Sequence, residues 1–351
     1  MSVVDVYTNR YQAAASNADV DACPFCMAAV DVIPGKSLSF IKVVEAVING
    51  SCSIGEFRDH IRIALAGKAQ LHKPIGIGNP FEEDRGDGLW SYTSKFFGFG
   101  GWCSGCFDGI EIAPFNAADS VEEVSAAERQ ELRKQALDAG LEIVGLHWLL
   151  VSPAGLHLTS GDAAVRRRTT SYLQALAEFC SDLGGGVMIF GSPKQRNLAE
   201  GEDPRLGFER AAGALKEVGK TCEELGVQLL LEALSPLETN FLQTIEEALE
   251  LRDAIDSPGI GYMLDCKAMS SMPEGIEGTI LRHGKNAGHF HANEPTGKGP
   301  GMGDVEFVPI LSALTESGYE GWVSTEPFDY KPDPSTVAAT ALKTLREAAG
   351  A

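Results

Sequence analysis

The sequence lacks any apolar run of the roughly 18 residues that a membrane-spanning helix needs. Its first thirty residues have no basic start and no sustained apolar stretch, so they are not typical of a secretory signal. Positive charge is also scarce, because 29 Lys and Arg stand against 49 Asp and Glu. General nucleic-acid binding requires many Lys and Arg against the phosphates. We therefore expect a cytoplasmic protein that binds neither membranes nor nucleic acids.

Cysteine is sparse as well, since eight in 351 residues are too few for a disulfide scaffold in a chain of this length. Two pairs have CxxC spacing, Cys23 with Cys26 and Cys103 with Cys106. Together they could supply a four-thiolate zinc site. Thiols that bind no zinc are the alternative we favour, because the pairs lie far apart and outside a zinc-ribbon context.

From residue 107 onward the chain contains a regular alternation of apolar strands and amphipathic helices. The predicted strands are 107–115, 141–148, 187–192, 227–234, 259–266, 287–293 and 321–328. The helical patterns between and after them are 121–139, 161–183, 204–225, 243–255, 274–283, 305–317 and 334–348. Strands that are apolar along most of their length are typical of a parallel sheet covered by helices.

Seven strand–helix units in succession imply an eighth, because eight parallel strands close into a barrel without exposed edges. We predict a (β/α)8 TIM barrel over residues 71–351, with its first strand at 74–79. The part 71–106 matches this pattern poorly, because its glycines and aromatics do not favour a helix. Residues 1–70 are predicted to be a mostly helical extension, which could serve as the interface of a homo-oligomer.

Acidic residues and one histidine stand at the ends of the last four predicted strands. They are Glu232, Asp265, His291 and Glu326. The carboxyl ends of barrel strands meet at one mouth, where three ionised carboxylates need a compensating cation. Oxygen donors with one imidazole suit Mn²⁺, Mg²⁺ or Co²⁺ better than a structural zinc. Each residue alone could be structural, but the set predicts one divalent ion, with Mn²⁺ favoured.

The stretch GHFHANEP contains two histidines, His289 and His291, two positions apart on one predicted strand. We expect only one of them to face the barrel interior. His291 is then predicted to face the metal, and His289 to point away into the helix layer. A His289→Ala substitution is accordingly expected to affect mainly stability.

Further candidates stand near the predicted mouth. His147 and Trp148 end one strand, and an imidazole and an aromatic ring suit the hydroxyls and the C–H face of a sugar. Core packing is the alternative for Trp148. Lys194 and Arg196, in the loop GSPKQR, could hold a phosphate or a carboxylate, and surface salt bridges are the alternative. Glu111, at the end of its strand, is a candidate for binding a substrate hydroxyl.

Seven stretches resemble the sugar phosphate isomerase/epimerase group of xylose isomerase-like TIM barrels, which includes the ketose 3-epimerases and hydroxypyruvate isomerase. They are GLHWLLVSP, VMIFGSPKQR, LLLEALSPLETNFLQT, YMLDC, GHFHANE, GPGMGDVEF and VSTEPF, within residues 107–350. The resemblance implies one divalent metal held by a Glu, Asp, His and Glu set. In this sequence the set falls on Glu232, Asp265, His291 and Glu326. It also implies a substrate-orienting role for Glu238, six residues after the first ligand.

By this resemblance the substrate is a small-molecule sugar, and the reaction is proton transfer at a carbon next to a carbonyl through an enediolate. Glu232 and Glu326 are the implied catalytic pair. Two substrate contacts of ketose 3-epimerases are replaced. Ala268 stands in place of a histidine, and Gly297 stands in place of an arginine, with Lys298 beside it as a candidate contact. We therefore expect related chemistry on a different sugar or polyol.

Three other functions remain open at this stage. A lyase or dehydratase of the same fold would act on 3-oxo sugars and would release an aglycone or water, which changes the product mass. An abasic-site endonuclease shares the barrel. That class of enzyme has a histidine-rich three-metal cluster, and its binding to DNA needs a net charge opposite to that of this chain. In a non-catalytic binding protein, the N-terminal region would determine which partner is bound.

Overall fold

The barrel is seen in a computed structural model that describes residues 90–95 and 107–350. Each strand pairs with the next, and the last pairs with the first, so the sheet closes. The strands are β1 (Trp90–Lys95), β2 (Gly109–Ile112), β3 (Glu142–Leu146), β4 (Val187–Phe190), β5 (Gln228–Glu232), β6 (Ile260–Asp265), β7 (Phe290–His291) and β8 (Trp322–Thr325). The predicted barrel is confirmed.

The strand that closes the sheet differs from the prediction in position and in direction, because it is β1 at 90–95 and not the segment 74–79. Strands β2 to β8 run parallel, whereas β1 runs antiparallel to both of its neighbours, β2 and β8. An antiparallel neighbour needs no crossover helix, which fits the poor helical pattern between residues 80 and 106. The predicted first strand at 74–79, the extension 1–70 and both CxxC pairs lie outside the described residues, so the domain boundary near residue 70 stays a prediction.

The helices of the described region follow the predicted order. They are α1 (Ala126–Asp138), α2 (Ala163–Leu183), α3 (Pro204–Leu225), α4 (Ile245–Ile255), α5 (Cys266–Met269), α6 (Gly275–His283), α7 (Phe307–Ser317) and α8 (Pro334–Ala348). Local sequence sets their ends. Helix α1 begins at a capping box in which the Glu128 carboxylate accepts from the Ser125 N–H at 2.8 Å. Helices α2 and α3 end at Gly184 and Gly226, both in the left-handed conformation that favours glycine.

The inward-facing side chains of three neighbouring strands form a buried apolar cluster. Ile189, Leu230 and Met263 belong to β4, β5 and β6. Side chains two positions apart on a strand point to the same face. Glu232 and Asp265, two residues beyond Leu230 and Met263, therefore face the same interior, nearer the carboxyl ends of the strands.

Candidate metal centre

The four predicted ligands converge at the carboxyl end of the barrel. Nδ1 of His291 lies 3.8 Å from Glu232 Oε1, 3.7 Å from Asp265 Oδ2 and 3.4 Å from Glu326 Oε2. All four side chains are buried. Strands β5, β6 and β7 end at three of these residues, and Glu326 directly follows β8. The structure thus brings together the residues that the sequence placed at one mouth.

The three carboxylates strongly influence one another. Burial, together with the charges of Asp265 and Glu326, raises the pKa of Glu232 to about 8. Burial likewise raises the pKa of Asp265. Burial also acts to raise the pKa of Glu326, but the neighbouring imidazoles of His147 and His291 outweigh it and hold that pKa at about 2. A divalent cation among these carboxylates would reduce the repulsion between their negative charges.

The donor set fits a divalent ion. Nδ1 of His291 is buried and has no hydrogen-bond partner among the described residues, although three carboxylate oxygens surround it. Nε2 of the same ring lies 3.2 Å from Glu111 Oε2, so a carboxylate engages the ring nitrogen that faces away from the cluster. This arrangement is typical of a metal-binding histidine. Glu232, Asp265, His291 and Glu326 could therefore hold the ion, and the choice among Mn²⁺, Mg²⁺ and Co²⁺ stays a prediction.

The expected orientation of His289 is wrong. Its ring is fully buried in the barrel interior beside that of His291, with ring centroids 5.2 Å apart. Its Nε2 lies 2.6 Å from Glu111 Oε1 and 2.8 Å from Ser324 Oγ. The physical reason is the two-residue period of a strand, which places residues 289 and 291 on the same face.

Glu111 was expected to bind a substrate hydroxyl, and the structure places it elsewhere. Its side chain is 0% exposed and lies between His289 and His291, with one oxygen near each imidazole. Burial acts to raise its pKa, but the two histidines outweigh burial and lower the pKa well below its usual value. Glu111 is therefore a buried, ionised support of the two histidines.

Asn293 links three strands of the centre and was not among the predicted site residues. Its Nδ2 donates to Asp265 Oδ2 at 2.8 Å, and its Oδ1 accepts from the Glu326 N–H at 2.7 Å. The other oxygen of Asp265 accepts from the Ala268 N–H at 2.9 Å, which caps α5. The signal was available in the sequence, because Asn293 continues the two-residue series of His289 and His291.

His147 and Trp148 both reach the centre, where they hold one oxygen of Glu326. Nδ1 of His147 lies 2.7 Å from Glu326 Oε1, and the Trp148 indole N–H donates to the same oxygen at 2.5 Å. The Trp148 ring also contacts Phe115 and Phe328, with centroids 6.5 and 6.1 Å away. These contacts fix the direction of Glu326, and sugar binding by the two residues stays a prediction.

Glu238 is half-buried and forms an ion pair with Lys267, a residue that the sequence analysis overlooked. The Ser235 hydroxyl donates to the other Glu238 oxygen at 2.8 Å. Lys267 follows Asp265 by two positions, and its Nζ lies 5.2 Å from the centroid of the Phe328 ring. Its charge lowers the pKa of Asp265, though less than His291 does.

Arg196 cannot hold a phosphate at the mouth, in contrast to the prediction. The side chain is 0% exposed, and its Nη1 donates to the carbonyls of Glu232 at 2.7 Å and Phe190 at 3.3 Å. Its Nη2 donates to the Leu242 carbonyl at 3.4 Å. Burial lowers its pKa to about 10, so the guanidinium remains charged at neutral pH. Lys194 and Lys298 are exposed.

An Arg196→Met variant should lose roughly 2–3 kcal/mol of the free energy of unfolding, because three carbonyls lose a charged donor. Urea unfolding followed by circular dichroism measures this loss. Lys194→Met, at an exposed position in the same loop, is the control and should change stability by less than about 0.5 kcal/mol. Wild-type stability of Arg196→Met would contradict the structural role of this residue.

Metal addition should stabilise the fold, because the four donors converge only in the folded chain. Mn²⁺ at about 100 times its dissociation constant should add about 2.7 kcal/mol to the free energy of unfolding. Thermal unfolding with and without a chelator measures the effect. Asp265→Asn should abolish most of it, whereas an equal shift in this variant would place the ion elsewhere.

Comparison with known proteins agrees with the fold. The model of the Xylose isomerase-like TIM barrel family matches residues 104–348, and the chain belongs to this family. The chain is 30% identical over 226 residues to the D-psicose 3-epimerase of Ruminiclostridium cellulolyticum, covering 63% of this chain and 74% of that protein. It is 29% identical over 230 residues to the L-ribulose 3-epimerase of Mesorhizobium japonicum, covering 63% and 71%.

A solved structure supports the same fold. The crystal structure of a D-psicose 3-epimerase in the presence of D-fructose matches with a TM-score of 0.60 and 23% identity, over 70% of this chain and 90% of that one. The named relatives are sugar 3-epimerases, which are isomerases, and they support the general isomerase or epimerase reaction. Within the part of the chain that the structure describes, no helix is long and apolar enough to cross a membrane.

Proposed function

We propose that this protein is a divalent-metal-dependent isomerase or epimerase of a sugar or sugar derivative. The reaction is proton transfer at a carbon next to a carbonyl, through an enediolate. The observation that carries the proposal is the position of His291 Nδ1, which has no hydrogen bond to any described residue and lies 3.4–3.8 Å from oxygens of Glu232, Asp265 and Glu326. Mn²⁺ is the ion we propose first, with Mg²⁺ and Co²⁺ as alternatives.

The chemistry requires a polarised carbonyl and two proton-transfer groups. A bound divalent ion would supply the first, because it would polarise the carbonyl and the hydroxyl on the adjacent carbon and so acidify the C–H bond of that carbon. Glu232 and Glu326 supply the second, and each offers an oxygen within 4.8 Å of the other. One removes the proton and the other returns a proton on the opposite face of the substrate.

Neighbouring residues orient these groups. His147 and Trp148 hold Oε1 of Glu326 and leave its Oε2 directed toward His291. Nε2 of His147 has no hydrogen-bond partner within the described ranges, and a substrate hydroxyl could bind it only if the side chains that bury it move. Glu238 is the other proposed hydroxyl contact. A homo-oligomer in the cytoplasm remains the prediction for the protein's state in the cell.

Deuterium exchange in D₂O tests this proposal. The Mn²⁺-loaded protein is incubated with D-psicose, D-fructose, L-ribulose, ketose phosphates and 3-oxo glucosides, and products are followed by mass spectrometry and NMR. Deuterium at the carbon beside the carbonyl, in an isomer with an unchanged skeleton, is the expected result. Loss of water or of an aglycone would instead establish the lyase reaction. Absence of exchange despite bound Mn²⁺ would refute both reactions for these substrates.

A further inference from the structure

Gly191, which directly follows β4, has no side chain at a point where one would meet the proposed centre. The residue is buried, and its φ lies outside the left-handed region, so an alanine could adopt the same backbone conformation. A Cβ built on Gly191 would lie less than 3.0 Å from Glu232 Oε2 and 3.4 Å from Glu232 Cδ. Apart from the chain neighbours of Gly191, no other heavy atom of the described residues lies within 4 Å of that Cβ.

The Glu232 carboxylate therefore occupies the space that a side chain at position 191 would fill. Its Oε2 lies beside the main chain of Gly191, and its Oε1 faces Nδ1 of His291 at 3.8 Å. At Gly145, by contrast, a Cβ would meet the backbone oxygen of Val187, which cannot move without its strand. A carboxylate at the end of a side chain can move. A side chain at position 191 should thus displace Glu232 and leave the barrel folded.

Arg196 holds the backbones of Gly191 and Glu232 close together. Its Nη1 donates to the Glu232 carbonyl at 2.7 Å and to the carbonyl of Phe190, the residue before Gly191, at 3.3 Å. Phe190 also pairs with Leu231 where β4 and β5 run side by side. Separation of the two strand ends would break these hydrogen bonds. The carboxylate, and not the backbone, is therefore the part that would yield to a Cβ.

Resting on the function proposed above, we propose that Gly191 is a positioning residue that acts through Glu232, because it leaves free the space in which the Glu232 carboxylate is held. An alanine at this position would move Oε2 by roughly 1 Å before ordinary van der Waals contact is reached. A misplacement of about 1 Å can slow a catalysed step about 100-fold. The displaced carboxylate would also lose its present orientation toward His291, which should weaken metal binding.

Gly191→Ala tests this proposal, with Gly186→Ala as the matched control. Gly186 stands directly before β4, and a Cβ there would have no heavy atom within 4 Å. Gly191→Ala should bind Mn²⁺ about 10- to 100-fold more weakly by calorimetry and exchange deuterium with a kcat about 100-fold lower. Its melting temperature without metal should stay within about 4 °C of wild type. Gly186→Ala should keep its Mn²⁺ affinity and kcat within about two-fold of wild type.

A double-mutant cycle shows whether the effect passes through Glu232. In the Glu232→Ala background no carboxylate lies beside Gly191, so Gly191→Ala should change the Mn²⁺ affinity less than about two-fold. Electron paramagnetic resonance of free Mn²⁺ measures affinities that are too weak for calorimetry. An equal loss of affinity in this background, or wild-type affinity in Gly191→Ala alone, would overturn the proposal. A melting temperature lower by more than about 10 °C would also overturn it, because Gly191 would then be a packing residue.

A crystal structure of metal-free Gly191→Ala tests the position of the carboxylate directly. Glu232 Oε2 should be displaced by roughly 1 Å from its wild-type position, and an unmoved carboxylate would overturn the proposal. These measurements separate the role of Gly191 from the proposed function. Mn²⁺ binding by the wild type without deuterium exchange would refute the isomerase function, whereas the affinities would still decide the role of Gly191. Absence of Mn²⁺ binding by the wild type would overturn both.

Discussion

Turnover should fall by at least about 100-fold when Glu326 is replaced by glutamine, because the variant keeps the shape of the side chain but cannot accept or return a proton. The amide oxygen can still accept from His147 and Trp148, so the local fold should persist. The loss should appear in kcat for deuterium exchange, measured under saturating Mn²⁺. Glu232→Gln is expected to show a loss of the same order.

The control for this prediction is Glu320→Gln, which removes an exposed carboxylate just before β8. It should retain wild-type exchange. Calorimetric titration with Mn²⁺ determines how much of the Glu326→Gln effect is weaker metal binding. Exchange at more than half the wild-type rate in Glu326→Gln would remove this residue from the proton-transfer role.

A Glu111→Gln variant should bind Mn²⁺ about 10- to 100-fold more weakly, although Glu111 is not a proposed ligand. The carboxylate can accept from both His289 and His291, whereas an amide offers one acceptor oxygen and one donor nitrogen. If the amide donates to Nε2 of His291, the ring proton moves to Nδ1. That nitrogen then has no lone pair for the ion. Calorimetry or the electron paramagnetic resonance of free Mn²⁺ measures the change.

A Glu111→Leu variant separates positioning from folding. It should lose about 3–5 kcal/mol of the free energy of unfolding, because two buried histidines lose their carboxylate partner. Glu250→Gln, an exposed change on α4, is the control for both substitutions. Wild-type Mn²⁺ affinity in a folded Glu111→Gln protein would show that the carboxylate does not orient His291.

The barrel and its four-residue centre could be predicted because they follow from local patterns. Apolar runs separated by helical periods determine the strand order, and strand ends determine which side chains meet. Glu232, Asp265, His291 and Glu326 were found in this way. The same rule, applied consistently, would also have placed His289 and Asn293 on the inner face. The wrong orientation predicted for His289 came from a misapplied two-residue strand period.

Arg196 could not have been placed from its sequence neighbours. Ser192, which has φ +39°, leads directly into the 3-10 helix Pro193–Gln195. Arg196 then donates to the carbonyls of Glu232 and Leu242, which lie 36 and 46 residues away along the chain. Burial that depends on such distant partners leaves no local signal. Lys267 was missed for a related reason, because its pairing with Glu238 joins helix α5, after β6, to the loop after β5.

The direction of β1 was equally beyond the sequence pattern. An eighth strand was needed for closure, but closure alone does not determine whether that strand is parallel. The alternation of strands and helices begins only at β2, so the pattern contains no information on the strand that precedes it.

The hydrogen bonds of Asn293 have a consequence for motion during turnover. One amide joins the ends of β6, β7 and β8 by holding Asp265 and the backbone of Glu326. This part of the barrel mouth cannot widen without the loss of at least one of these hydrogen bonds, so we expect local opening to be rare there. We therefore expect entry of the proposed substrate to depend on displacement of rim side chains such as Phe328 and Lys267, while the proposed catalytic carboxylates stay fixed.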